Sequence, residues 1–432
     1  MGATGQSSWL GDHSCQEIFR SFRMAIHPRK MVAAFSAVTV IFCTGWLMDI
    51  SRSVAVNSRG DVTELHVYAE TPDRVLEFRT QCRDNGQRAG VFATLARFGS
   101  ERFHETLYSW FRIEQLQTVA LPETVAFMED CFQSVGWAFR YHTLYSAVFF
   151  SVVLLVLSVA GGAICRMAAL QFSQDERPGL IESLHYSFTR WRSLVAAFLI
   201  PLAVIFFVGL FVFVLGLLGN IPWLGELIVA VGMPLVLGAG ALIVFCFLGV
   251  IAGGGLMHPA VAYEDSESFT AINNAFRYVY SRPWRLGFYG IVAAGYGAVT
   301  YIFIRLFAFG LLLAGYRFMQ LGMLNGNAKL HLLWHEPHFV DLAGPMMPAA
   351  EGVTLVIAAF LMRVCVLGIA GLVVAYAVSF YYSVYTVIYA LMRHHVDGVP
   401  YTQIHTRPEA IEPAIPWPPT PVDKNPHDEE DA

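Results

Sequence analysis

Three histidines and two carboxylates lie close together in segment 329–341, which reads KLHLLWHEPHFVD. His331 and His335 are four residues apart, so on a helix they would share a face, and His338 follows. Imidazole and carboxylate groups are ligands for zinc and other divalent metals. The sequence therefore predicts His331, His335 and His338 as a candidate metal site. The alternative is a solvated loop, which Pro337 favours because it interrupts any helix through the segment.

Two arginines stand at the ends of long apolar runs. Arg305 lies about 20 residues beyond Arg285, a helical length close to one bilayer thickness, and Arg363 has a comparable position. One interpretation is that both side chains reach lipid phosphate at the membrane surface. The other is that Arg305 and Arg363 face an internal cavity, with Glu351 as a partner. A lone buried arginine would cost several kcal/mol, roughly.

Arginine recurs at three places where an amphipathic stretch meets an apolar one, in segments 15–40, 180–202 and 264–293, and tryptophan accompanies it in the second and third. Both side chains favour the boundary between lipid and water. The sequence thus predicts contacts with anionic headgroups by Arg20, Arg23, Arg190, Trp191, Arg192, Arg277, Arg282, Trp284 and Arg285. The alternative is that these amphipathic helices pack beneath the apolar bundle with their bases in solvent.

The third of these stretches reads SFTAINNAFRYVYSRPWRL from Ser268 onward. It resembles a motif of bacterial integral-membrane families of uncharacterised function, among them the membrane domain that accompanies some glycerophosphodiester phosphodiesterases. The matching residues are Ser268, Ala271, Phe276, Arg277, Val279, Arg282, Pro283 and Trp284. The resemblance implies a similar membrane bundle without the insertion at 51–142. It implies no phosphodiesterase activity, because the chain lacks the soluble catalytic domain.

The composition indicates what must position these residues. Hydrophobic residues make up 56% of the chain and charged residues 14%, against about a quarter charged in a soluble domain. Six apolar runs are long enough to cross a bilayer as helices. The sequence therefore predicts an all-α membrane protein with spans at 31–50, 144–168, 194–218, 227–251, 286–304 and 365–391.

The distribution of arginine and lysine predicts the orientation. Bases cluster before the first, third and fifth runs and after the sixth, whereas the short connection 220–225 has none. Since basic loops stay on the cytoplasmic side, both termini are expected in the cytoplasm and residues 51–142 outside. The formal net charge of −5 averages over these opposed sides.

The spans group into three units, each an amphipathic helix followed by a pair of spans. The expected divisions are 1–50 with the first helix and span, a mostly helical extracytoplasmic cap at 51–142, a five-span bundle at 143–392 and a disordered cytoplasmic tail at 393–432. Amphipathic helices are expected near 180–192 and 266–282. Within the cap, 62–69 suggests a strand, and 72–82, 100–117 and 122–139 suggest helices. The glycines Gly249 and Gly253 suggest close helix packing, and the alternative is a broken helix that lines a transport site.

Two of the seven cysteines, Cys82 and Cys131, lie in the expected cap. On the oxidising side of a membrane such a pair can form a disulfide. The sequence leaves open whether Cys82 and Cys131 are paired or are free thiols.

The sequence favours no reaction. It contains no phosphate loop, nucleophile elbow, zincin motif or dinucleotide fingerprint, and nothing resembles a nucleic-acid module. The first interpretation is a scaffold or accessory protein of the bacterial inner membrane, with anionic lipid and a second membrane protein as partners and no cofactor. The second is a transporter or lipid-handling protein with a cavity between the hairpins. A metal-dependent enzyme is the least supported class.

Overall fold

The computed structural model describes residues 14–57, 62–83, 88–111, 121–323, 328–339, 341–344 and 352–404. Most of the described residues are helical, and six of the helices are long and apolar enough to cross a membrane. The chain is therefore an all-α, multi-pass membrane protein, as its composition predicts.

The helices follow one another along the chain with little other regular structure. Two-residue strands β1 (Val54–Ala55) and β2 (Arg88–Ala89) pair antiparallel in the cap. The helices are α1 Ser14–Ala25, α2 Pro28–Met48, α3 Glu64–Glu70, α4 Val75–Gln81, α5 Val91–Phe111, α6 Leu121–Tyr141, α7 Thr143–Gln174, α8 Leu180–Thr189, α9 Trp191–Leu218, α10 Gly225–Glu264, α11 Ser268–Ser281, α12 Pro283–Gly322, α13 Ala328–Leu333 and α14 Val353–Asp397.

The six candidate spans are α2, α7, α9, α10, α12 and α14. Five of them contain a predicted apolar run and α2 covers all but the last two residues of the first run, so the prediction of six spans is confirmed. Helices α10 and α12 have 40 residues each and α14 has 45. At 1.5 Å per residue they are about 60 Å long or more, roughly twice the hydrocarbon thickness of a bilayer. Their ends therefore extend well beyond it.

Consecutive spans pack against each other as the pairs α2 with α7, α9 with α10, and α12 with α14. A short helix, α1, α8 or α11, precedes each pair. This is the predicted arrangement of three units. The short helices lie at the same end of the bundle as the C-terminal ends of α7, α10 and α14. We call this end the terminal face and the opposite end the cap face.

The short helices are packed onto the bundle along one side. Helix α1 buries Ile18, Ser21 and Ala25, and the hydroxyl of Ser379 in α14 donates to the Ala25 carbonyl at 2.8 Å. The other side of α1 exposes Phe19. Helix α1 thus has a packed side and an open side, and contact of its open side with headgroups stays a prediction.

The two glycines predicted to allow close packing do so, and their partner is α11. A Cβ atom on Gly249 would lie 2.7 Å from the Phe276 ring, and one on Gly253 would lie 3.1 Å from Val279. Hydrogen in place of a side chain therefore lets α11 lie along α10. The sequence predicted the close approach but not which helix makes it.

The cap has a small core of its own. Val54, Leu65, Val91, Phe98 and Trp137 are buried together there. Helices at 72–82 and 122–139 are confirmed by α4 and α6, and α5 begins nine residues before its predicted start at 100. The predicted strand at 62–69 is wrong, because most of it forms α3. The Thr63 and His66 side chains form a capping box at the start of α3, which satisfies its first amide groups.

The predicted boundary of the tail at residue 393 is also wrong. Helix α14 continues to Asp397, and Ile404 is 8% exposed. The Tyr263 hydroxyl donates to the Tyr401 carbonyl at 3.3 Å, and Arg393 donates to the Gln403 carbonyl at 2.6 Å. Residues up to 404 therefore belong to the packed bundle, and the predicted disorder of 405–432 lies outside the described residues.

Candidate functional site

The C-terminal end of α10 gathers polar side chains from four other helices. Its last carbonyl groups accept hydrogen bonds from the Tyr186 hydroxyl at Val261 (2.9 Å) and from Arg166 at Ala262 (2.8 Å). Carbonyls at a helix C-terminus have no partner within the helix and carry partial negative charge. Cations and hydroxyl donors from neighbouring helices therefore stabilise this end.

Asp265 ends the helix in a left-handed conformation, with φ of 50°. Aspartate tolerates this conformation better than most residues. Its carboxylate pairs with the Arg190 guanidinium at 2.7 Å. The ion pair fastens the corner between α8 and α9 to the end of α10.

Glu264 is the centre of the cluster. Its carboxylate accepts hydrogen bonds from the Asn274 amide at 2.7 Å and the Tyr389 hydroxyl at 2.7 Å, and it lies 3.4 Å from Arg393 Nε. These donors come from α11 and α14. One carboxylate thus joins three helices of the terminal face.

A second carboxylate, Asp397 in the last turn of α14, repeats the arrangement. It accepts from the Tyr278 hydroxyl at 2.6 Å and from Arg277 at 2.8 Å. Burial raises the pKa of Tyr278, and the Asp397 carboxylate raises it further, so the phenol keeps its proton and stays a donor. We call Glu264, Asp265, Asn274, Arg277, Tyr278, Tyr389, Arg393 and Asp397 the terminal cluster.

An open pocket of about 520 Å³ lies over this cluster. Two carboxylates and two guanidinium groups balance in charge around it. This arrangement of charged and amide side chains can form hydrogen bonds and ion pairs with a polar group. Its lining residues are Glu264, Asn274, Arg277, Arg393, Asp397 and Val399.

The predicted headgroup residues fall into two groups. Arg190 and Arg277 belong to ion pairs with Asp265 and Asp397, and Arg20 pairs with Glu17 at 2.7 Å. The second group lies open on the terminal face. Its exposed members are Arg23, Trp191, Arg192, Arg282 and Trp284, while Arg285 is half-buried.

Arg305 and Arg363 both donate hydrogen bonds to the loop that follows α13 at the cap face. Arg305 is 6% exposed and donates to the Phe339 carbonyl at 2.9 Å and to Tyr301 at 3.0 Å. Arg363 donates to the carbonyls of Ala343 and Gly344. Backbone oxygens of the loop therefore solvate both guanidinium groups. The proposed partner Glu351 lies outside the described residues.

The three candidate metal ligands are not brought together. Helix α13 ends at Leu333, so His331 and His335 do not share a helical face. All three imidazoles are exposed, and His331 lies 3.2 Å from the Tyr316 hydroxyl. In the described ranges no three His, Cys, Asp or Glu side chains are close enough to hold a metal ion.

Cys82 and Cys131 are both free thiols in this structure. Cys82 is buried at the end of α4, whereas Cys131 lies on the exposed side of α6. The disulfide that the sequence left open is not formed.

Sequence reasoning missed a buried ionic cluster in the cap. The Glu64 carboxylate is fully buried, lies 2.9 Å from Arg79 Nε and accepts from the Ala55 amide at 2.7 Å. Burial alone would raise the pKa of Glu64, but the nearby His142 and Arg79 side chains and the Ala55 amide outweigh it, and the pKa is lowered. The cluster ties β1, α3 and α4 to the start of α7.

The terminal cluster was missed as a site, although Arg277 was chosen for another role. A signal was present, since Glu264 ends a 40-residue apolar helix and Arg393 and Asp397 are four residues apart at the end of α14.

Comparison of the chain with family models, with curated proteins and with solved structures gives no match.

Proposed function

We propose that the protein is a scaffold or accessory protein of the bacterial inner membrane, and that the α9–α10 hairpin holds the membrane-spanning helix of a second protein. The observation that supports this is how little of the hairpin is covered. In the most apolar stretches of α9 and α10, 6% and 11% of the residues are buried, against 22% in α2 and α12 and 50% in α7, while α14 equals α10 at 11%.

Large apolar side chains point outward around the hairpin. Phe206, Phe207, Phe211 and Phe213 of α9 are each more than half exposed, as is Leu237 of α10. At 100° per residue these phenylalanines lie within about half of the α9 circumference, whereas Leu215 on the other side contacts α10 at Gly232. The described residues leave the phenylalanine side of α9 without a cover. Lipid or another helix must surround it.

Open glycines favour a helix as the partner. A Cβ atom added to Gly238 or Gly240 would meet nothing within 4 Å, unlike one at Gly249. Glycine on a spanning helix permits close approach of a neighbouring backbone, which lipid chains do not require. Gly240 lies three residues from the exposed Leu237, so the face of α10 that these two residues share suits docking of a further helix.

The terminal face suits the cytoplasmic side of the membrane. The open sides of the amphipathic helices carry Arg23 and Arg282 next to Phe19 and Trp284. Basic and aromatic side chains in this combination favour an anionic headgroup layer. Both chain ends then lie in the cytoplasm.

The contacts of Arg305 and Arg363 favour a scaffold over a transporter. A cavity role would need their guanidinium groups to face an internal space, whereas both donate to carbonyls of the cap-face loop. The exposed, separated histidines likewise give little support to a metal-dependent enzyme.

Photocrosslinking in intact membranes tests the docking role. A benzophenone side chain at Leu237 should give one discrete protein adduct, and that adduct should disappear when Gly238 and Gly240 are both replaced by leucine. The same probe at Val299 of α12, which is 57% exposed, serves as the control and should give lipid adducts alone. Lipid adducts alone at both positions would refute the proposal.

A further inference from the structure

A groove runs along the first half of α9, away from the terminal cluster and from the α10 glycines. It has a volume of about 280 Å³, and every residue that lines it belongs to α9. Only the terminal-face end carries a charge. The lining residues are Trp191, Arg192, Val195, Ala196, Leu199, Ile200 and Ala203.

We propose that this groove binds one anionic phospholipid, with its phosphate at Arg192 and one acyl chain along Val195, Leu199 and Ala203. These three positions continue from Arg192 at helical spacing, so they form one strip. From Arg192 to Ala203 the helix rises about 17 Å, close to half of the ~30 Å hydrocarbon thickness. The strip therefore matches the depth of one leaflet.

The charge at the end of the groove fits a phosphate. Arg192 is exposed and stacks over the Trp191 ring at 5.7 Å, and within the described part of the chain it forms no ion pair with a carboxylate. Arg190, two residues earlier, is neutralised by Asp265 at 2.7 Å. A guanidinium group forms strong paired hydrogen bonds with phosphate oxygens. Arg192 is thus the group at this corner that is available to an anion.

The rest of the groove selects an amphiphile over a soluble anion. Beyond Arg192 its walls are aliphatic, and they lie inside a candidate membrane span. A ligand that fills the groove must carry one anionic end and a long apolar tail, which describes a phospholipid. This inference goes beyond the proposed docking role and stands without it.

Native mass spectrometry of the full chain from nanodiscs tests the site. The discs contain phosphatidylglycerol and phosphatidylcholine with identical acyl chains, and gentle activation leaves only tightly held lipid. Two variants address the two ends of the groove, Arg192→Gln at the charge and Ala203→Phe in the tail strip. Their matched controls are Arg282→Gln, another exposed terminal-face arginine, and Val204→Phe, an exposed neighbour that does not line the groove.

The wild type should retain one phosphatidylglycerol in preference to phosphatidylcholine. Each groove variant should bind phosphatidylglycerol roughly tenfold less, because it loses one hydrogen bond to a charged group or a comparable contact with the acyl chain. Both control variants should bind the lipid as the wild type does. Equal losses in Arg192→Gln and Arg282→Gln, or equal retention of the two lipids, would overturn the proposal. Since Ala203 is exposed, its variant tests the groove even if Arg192→Gln misfolds. The Leu237 crosslink should persist in both groove variants, which separates this result from the docking role.

Discussion

Single carboxylates hold several helices of this protein together. Asp49, just after α2, accepts the amide groups of Phe92 at 2.9 Å and Ala93 at 2.8 Å, and the Tyr145 hydroxyl at 2.8 Å. It thereby caps α5 from a distant part of the chain and also binds α7. A carboxylate at a helix N-terminus is favourable because it accepts unpaired amides and complements the helix dipole.

Gly90 makes this approach possible, which leads to the first prediction. A Cβ atom on Gly90 would lie 2.1 Å from the Asp49 carboxylate, so Gly90→Ala must displace the cap. We expect a loss of about 1–3 kcal/mol in unfolding free energy, measured by thermal or denaturant unfolding in mild detergent.

Gly99→Ala in α5, the helix that follows Gly90, is the matched control, because a Cβ atom there meets nothing within 4 Å. It should leave stability unchanged or raise it by about 0.5–1 kcal/mol, since alanine favours helix. Equal destabilisation by both substitutions would show that the Asp49 contact is not responsible.

The buried Glu64 gives a prediction about pH. Because its pKa is lower in the folded protein, its contribution to stability is complete above the ordinary glutamate pKa of about 4.3. That contribution is lost as pH falls through the lower pKa of the folded state. We therefore expect the unfolding temperature of the cap to fall steeply at acidic pH, and Glu64→Gln to remove most of this pH dependence while lowering stability at neutral pH.

Glu101→Gln provides the comparison for Glu64→Gln. Glu101 lies in the same cap and pairs with Arg97 at 3.0 Å, but its side chain is 45% exposed. Exposed pairs contribute little, so its variant should follow the wild-type pH profile. Should the two profiles coincide, the buried cluster would not be the source of acid sensitivity.

At the scale of elements, the terminal cluster should hold α11 against α14. Glu264→Gln removes the charge that Arg393, Asn274 and Tyr389 share. Loss of a hydrogen bond to a charged group costs about 1.5–3 kcal/mol, which corresponds to a rise in amide exchange of roughly tenfold or more. We expect hydrogen–deuterium exchange to speed up in α11 and in the last turns of α14.

Glu267 supplies the control three residues away. It is exposed at the start of α11, and Glu267→Gln should leave exchange in both helices unchanged. Unchanged exchange in Glu264→Gln would contradict the anchoring role of the cluster.

The elements differ in how far sequence could predict them. Apolar runs that span a bilayer are local signals, so α2, α7, α9, α10, α12 and α14 were all foreseen. Glu264 and Arg393 are far apart in sequence, and no periodicity brings them together. For the same reason the chain gave no sign that Arg305 would bind the Phe339 carbonyl. The candidate site depends on contacts between residues that are distant in sequence, whereas the positions of the helices follow from local hydropathy.

Over the whole molecule, two kinds of surface adjoin the packed bundle. The terminal face combines a charge-balanced cluster with open arginines and tryptophans. In the apolar stretches of the α9–α10 hairpin only 6% and 11% of the residues are buried. The first surface suits a headgroup layer and the second suits another helix. Hydropathy predicts that the hairpin crosses the membrane, whereas only the packing shows that the other described residues leave much of it uncovered.

The most direct test of the docking role is the mass of the native complex. The full chain is extracted from its own membranes in mild detergent and weighed by native mass spectrometry. Gly238→Leu with Gly240→Leu is compared with Gly287→Leu, a substitution at an equally open glycine of α12. We predict a membrane-protein partner in fixed ratio that survives Gly287→Leu and is lost from the double variant. A wild-type chain that carries only lipid, or a partner held equally by all three proteins, would contradict the docking role of the hairpin.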